Sequence, residues 1–119
     1  MTDAPERLIE AVERGDTLTR HDFHCMTGSY DLSVSAVQAH AGSLDAAKEL
    51  HNALLPGWTA CVGQNAHHGD WNAFVRLAQD GSITSEHWGG NDGKPARAWL
   101  LAILRAKLAE NHPRQETSV

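Results

Sequence analysis

Residues 20–28, RHDFHCMTG, place His21, His24 and Cys25 within a few positions of one another. If the stretch is helical, the i, i+3 and i+4 spacings let all three side chains approach one face. A structural zinc ion needs four deprotonated nitrogen, sulfur or oxygen ligands in a tetrahedron. A fourth would have to fold back from His67, His68, Asp70 or His87. Zinc modules usually draw ligand pairs from two knuckles, and no second pair containing a cysteine exists here. The competing reading is a solvated histidine surface, with Cys25 serving as a small buried apolar residue.

Other stretches carry weaker chemistry. NAHHGDW, 65–71, sets His67 and His68 beside Asp70, but neighbours on an extended chain point opposite ways and do not easily share one target. A polar hairpin loop accounts for it. WGGNDGKP, 88–95, resembles a phosphate loop only superficially: Trp88 stands where a P-loop has its first glycine, and Pro95 follows Lys94 where Ser or Thr is required. Cys61 lies in a strand expected to be at least partly buried, where thiols are usually inert. Cys25 beside His24 lacks the geometry a base needs, because sequence neighbours rarely face each other. No catalytic or cofactor-binding residue is therefore assigned, and zinc is the one cofactor the residue types admit.

Four tryptophans are many for 119 residues. Trp71 and Trp99 fit core positions, whereas Trp58 after PG and Trp88 before GG fall at strand ends. Tryptophan is enriched at interface hot spots, so Trp58 and Trp88 are candidate residues of a partner or oligomer surface.

The elements that must hold these residues can be read in outline. Asp3-Ala4-Pro5-Glu6 starts a helix over 4–14, with Leu8, Ile9 and Val12 at helical spacing until Gly15. Residues 16–42 stay open: Thr17 or Thr19 can cap a short helix through Met26 ending at Gly28, while DLSVSAVQA has the weak alternation of an edge strand. Ser43 caps a helix whose Leu44, Ala47, Leu50, Leu54 and Leu55 form an apolar face, stopped by Pro56-Gly57. WTACVG (58–63), WNAFVRLA (71–78) and SITSEHW (82–88) read as a meander with a tight turn at Asp80-Gly81. Pro95 opens a last helix, apolar over a wide arc from Trp99 to Leu108 and hence well buried. The expected fold class is α+β: a three-stranded antiparallel meander packed by N-terminal, central and C-terminal helices in the order α-α-β-β-β-α. Apolar residues on both strand faces allow helices to cover both sides. One domain over 1–110 and a polar tail over 111–119 complete the expectation.

Composition narrows the class further. The net charge is −5, with 41% hydrophobic and 21% charged residues, and the mean hydropathy is −0.41. No apolar run approaches the length of a membrane span, and the N-terminus lacks the pattern of a secretory signal. A soluble cytoplasmic protein with reduced thiols is expected. The lysines and arginines are few and scattered, which argues against direct binding of nucleic acid.

AGSLDAAKELHNALLPGW, the strand pair bearing tryptophans and KPARAWLLAILRAKL together resemble a group of small proteins encoded by phages and prophages, the phage α-β-α sandwich domain. The resemblance covers residues 41–108 and implies a fold and a bacterial host cell, but carries no catalytic residue. Residues 20–28 lie outside it. Three functions remain in view: a non-catalytic phage accessory protein acting through protein contacts or self-association; a metal-binding protein using His21, His24 and Cys25 with His67 or His68; and an acidic inhibitor of a host defence or nucleic-acid enzyme.

Overall fold

The computed structural model describes residues 4–64, 70–89 and 93–111. Five helices and three strands follow one another as α1 (Ala4–Arg14), α2 (Arg20–Thr27), α3 (Tyr30–Ala41), α4 (Leu44–Leu54), β1 (Thr59–Gln64), β2 (Trp71–Gln79), β3 (Ser82–Trp88) and α5 (Pro95–Asn111). The fold is α+β, as its helical and alternating patterns require. Residues 16–42, open between a short helix and an edge strand on sequence, form α2 and α3, two helices that the expected order did not count. The alternation in DLSVSAVQA gives way to helical periodicity: Ser33, Ala36, Ala39 and His40 are buried at spacings of three, three and one.

Local signals set most boundaries. In α2 the Asp22 carboxylate accepts from the Thr19 backbone N–H at 2.8 Å and from Thr19 Oγ1 at 3.1 Å, the acidic half of a capping box. Gly28 ends α2 in the left-handed region at φ 68°, its N–H donating to the His24 carbonyl at 2.9 Å. A side chain there would carry a conformational cost that glycine does not. Ser43 caps α4 by accepting from the Ala46 N–H at 3.2 Å. Asp80 and Gly81 both adopt positive φ between β2 and β3, as the hairpin turn demands. At the end of α1, Arg14 pairs with Asp16 at 2.8 Å. That hydrogen bond holds the guanidinium above its ordinary pKa, but the pair is exposed and adds little to stability.

The sheet is antiparallel in the order β1-β2-β3. Thr59 to Gln64 pair with Arg76 to Trp71 without interruption. β2 pairs with β3 from Phe74↔Trp88 to Gln79↔Ser82, with a bulge where Leu77 faces Ser85 and Ala78 faces Ile83. Thr84, the extra residue, donates its hydroxyl to the Leu77 carbonyl at 3.1 Å.

One helix joins the sheet to the other helices. α5 packs against all three strands and also against α1, α3 and α4. Leu100, Leu101, Ile103, Leu104, Ala96, Ala98, Ala102 and Ala106 are all buried, which is why its apolar arc is wide rather than a stripe. Leu8, Ile9 and Val12 of α1, Phe23 and Met26 of α2, Ala36 and Ala39 of α3, and Ala46, Ala47 and Leu50 of α4 fill the same core. From the sheet, Ala73 and Val75 are buried. The expectation of helices on both sides of the sheet is corrected: the helical layer lies on the Ala73 and Val75 face, and no described helix covers the other. Its aromatic content has a different explanation, given below.

Two buried histidines tie elements together. His40 Nε2 lies 2.6 Å from the Asp16 carbonyl; a carbonyl only accepts, so Nε2 carries the proton. The His40 carbonyl in turn accepts from Arg97 Nε and Nη2 at 3.2 and 3.0 Å, linking α3 to α5. His51 Nδ1 accepts from the Trp99 indole N–H at 3.3 Å, while its Nε2 lies 3.0 Å from the Trp58 carbonyl. An indole only donates, so His51 is the Nε2–H tautomer. His51→Phe keeps the ring but removes both bonds, and is expected to lower stability by about 1–3 kcal/mol. Chemical denaturation monitored by circular dichroism measures it, with Tyr30→Phe, at an exposed site, as the unaffected reference.

Candidate functional sites

Two surfaces gather the residues that carry chemistry. The first is an open groove of about 530 Å³, lined by Thr19, Arg20, His21 and His24 from the start of α2 and by Tyr30 and Ser33 from α3. Phe23 and Met26 anchor α2 in the core, and His21 and His24 fall on its exposed side. The left-handed Gly28 brings the first turn of α3 back beside α2. Arg20 stacks over the Tyr30 ring, its guanidinium carbon 4.8 Å from the ring centre. The floor is firm: Ser33 is only 1% exposed. Its Oγ donates to the Ser29 carbonyl at 2.8 Å and lies 2.7 Å from Thr27 Oγ1.

The expected metal cluster is only partly placed. His21 and His24 line one groove. His67 and His68 lie outside the described residues, as does the Cys25 side chain. Among the described residues, no three His, Cys, Asp or Glu side chains come together in a metal-holding group. His87 stands on β3 with its ring 6.1 Å from that of Trp58, away from α2.

The second surface is the uncovered face of the sheet. Cys61, Phe74 and Trp88 sit directly opposite one another across the three strands. The Phe74 and Trp88 rings are 4.7 Å apart at 45°, a favourable tilted contact. The next row is Thr59, Arg76 and Glu86. Arg76 lies over the Phe74 ring at 4.8 Å, so a cation shields one side of the aromatic row. Trp88 is 50% exposed and Ile83 52%. Trp88 is held in place from behind, because Arg105 Nη1 donates to its carbonyl at 2.7 Å, and Arg105 Nη2 also hydrogen-bonds Glu13 of α1.

Of the two tryptophans expected at a contact surface, Trp88 stands on this face, whereas Trp58 packs against the core. Cys61 is corrected: it is exposed, not partly buried, because it takes the strand face that no described helix covers. Alternation along β2 puts Phe74 and Arg76 together on the face opposite Ala73 and Val75, and Glu86 joins them through its pairing with Arg76. Arg20, Tyr30 and Ser33 were not, because their juxtaposition depends on the α2–α3 turn. No known protein family, no curated protein and no solved structure matches the chain.

Proposed function

We propose that the chain is a non-catalytic accessory protein of phage or prophage origin that acts through protein contacts, with self-association across the open sheet face as its principal form. The phage setting rests on the sequence resemblance over residues 41–108. The observation that supports a contact role is the Cys61, Phe74 and Trp88 row on a sheet face without a helical cover. An exposed apolar row flanked by charge is the usual anatomy of an interaction surface.

A second copy suits this face electrostatically. Arg76 and Glu86 are cross-strand partners, and a two-fold axis lets each Arg76 meet the Glu86 of the other copy. Three strands of six, nine and seven residues, about 4.8 Å apart, give a footprint of roughly 300–400 Å². A standard interface covers about 800 Å² on each partner. A footprint this small points to a weak and reversible association.

Sedimentation equilibrium over 10–500 μM protein tests this, together with pulldown from bacterial lysate. A monomer–dimer equilibrium is expected, and Trp88→Lys shifts it to monomer by at least tenfold in the dissociation constant while leaving the melting temperature close to that of the parent. A chain that stays monomeric at 500 μM and retains no partner overturns the proposal.

A further inference from the structure

We propose that the groove between α2 and α3 binds a phosphorylated small molecule, with its phosphate against Arg20, His21 and His24 and its ring along Tyr30. The proposal is independent of the sheet face. Its volume of about 530 Å³ falls within the usual range for small-ligand sites, about 300–1,000 Å³.

The lining is a set of hydrogen-bond donors. Arg20 supplies five N–H groups, each imidazole supplies one when neutral, and the Tyr30 hydroxyl can donate. Among the lining residues the one formal charge is positive, in a chain whose net charge is −5. Two carboxylates adjoin the lining in sequence: Asp22 faces Thr19, accepting from both its backbone N–H and its hydroxyl, and Asp31, after Tyr30, is exposed. His21 and His24 are both exposed.

The geometry favours a tetrahedral oxyanion over a planar one. Arg20 and His24 are one helical turn apart on the same face of α2, and His21 lies about 100° around the helix from Arg20. Donors thus approach the groove from different directions, which matches a phosphate better than a carboxylate held by one arginine fork. Stacking on Tyr30 leaves the guanidinium edge free to donate. It also fixes a long side chain in advance, reducing the entropy lost on binding. The Tyr30 ring, 60% exposed, offers an aromatic surface next to the phosphate position.

The test is an NMR titration of the ¹⁵N-labelled full chain with inorganic phosphate, ribose 5-phosphate and adenosine monophosphate, at constant ionic strength held with sodium chloride. Saturating shifts confined to residues 19–33 are expected, with adenosine monophosphate binding at least about fivefold tighter than phosphate. Arg20→Gln weakens every ligand by about tenfold or more. Tyr30→Ala reduces adenosine monophosphate to the affinity of ribose 5-phosphate, and Lys48→Gln, exposed on α4, changes nothing. Shifts that fail to saturate by 50 mM phosphate, that map outside 19–33, or that persist unchanged in Arg20→Gln overturn the proposal. So does stoichiometric zinc binding at His21 and His24 with which phosphate does not compete. Equal affinities for phosphate and adenosine monophosphate overturn the placement of the ring along Tyr30.

Discussion

Gly89→Ala is expected to cost about 3 kcal/mol or more, a large part of the stability of an ordinary domain. A methyl group at position 89 would lie 1.8 Å from the Ala98 carbonyl oxygen, 2.8 Å from the Ala98 carbonyl carbon and 3.2 Å from the Ala102 nitrogen. All three are backbone atoms of α5, so no side chain can rotate away to make room. The strand end is also pinned, because the Gly89 N–H donates to the Ala73 carbonyl at 2.6 Å. Relief therefore requires moving β3 away from α5, and with it the Val75 and Ala73 contacts that bury the sheet. Gly93→Ala is the matching reference, since nothing lies within 4 Å of its would-be methyl and the change should stay within about 0.5 kcal/mol. Urea titration of both variants measures the difference. A loss below about 1 kcal/mol for Gly89→Ala would show that β3 and α5 are not in contact as described. Ala98→Gly introduced alongside should restore nothing, because the obstacle is a carbonyl and not a side chain.

Leu104→Ala is the second large effect, with an expected loss of about 2–5 kcal/mol. Leu104 is fully buried on the helix that both layers share, among Leu100, Leu101 and Ile103. The lost transfer energy of the deleted carbons is compounded by a cavity, since neighbours on two sides are held by separate elements and cannot all collapse into it. Ile83→Ala removes comparable apolar surface from a site 52% exposed, and should cost no more than about 0.5–1 kcal/mol. Thermal unfolding of the two variants side by side gives the contrast. A Leu104→Ala loss as small as that of Ile83→Ala would contradict the burial of α5.

How far the fold is legible in the sequence depends on whether a signal is local. α1, α4, the three strands and α5 announce themselves through proline, glycine and serine at element ends and through apolar spacing, and Asp80-Gly81 names its own turn. α3 does not. Its buried face is built from Ser33, Ser35, Ala36, Ala39 and His40, residues whose types carry almost no hydrophobic contrast, so neither period stands out. Only packing against α2 and α4 distinguishes helix from strand there. The coverage of the sheet is another long-range matter: Phe74 and Trp88 look like core residues in isolation. Whether a helix lies over them is decided by how α5 divides its contacts, which no local pattern records.

The same division explains what was legible of the candidate sites. His21 and His24 stand out by type, and helical spacing correctly places them near each other. Their neighbours Arg20 and Tyr30 are ordinary residues that become partners only because Gly28 turns the chain between them. The exposure of Cys61 has a related reason. Strand residues alternate, but the sequence does not say which of two mixed faces meets the helices.

The position of α5 also bears on how the chain comes off the ribosome. α5 follows every other described element in chain order, yet it is the one that fills the interior between the helices and the sheet. Synthesis from the N-terminus therefore produces four helices and a meander before the element that gives them a common interior. Until residues 95–111 emerge, Val75 and Ala73 have no helix to pack on, and Leu8, Val12 and Leu50 face an unfilled space. Until that helix arrives the growing chain keeps apolar surface exposed, the condition under which incomplete chains misassociate.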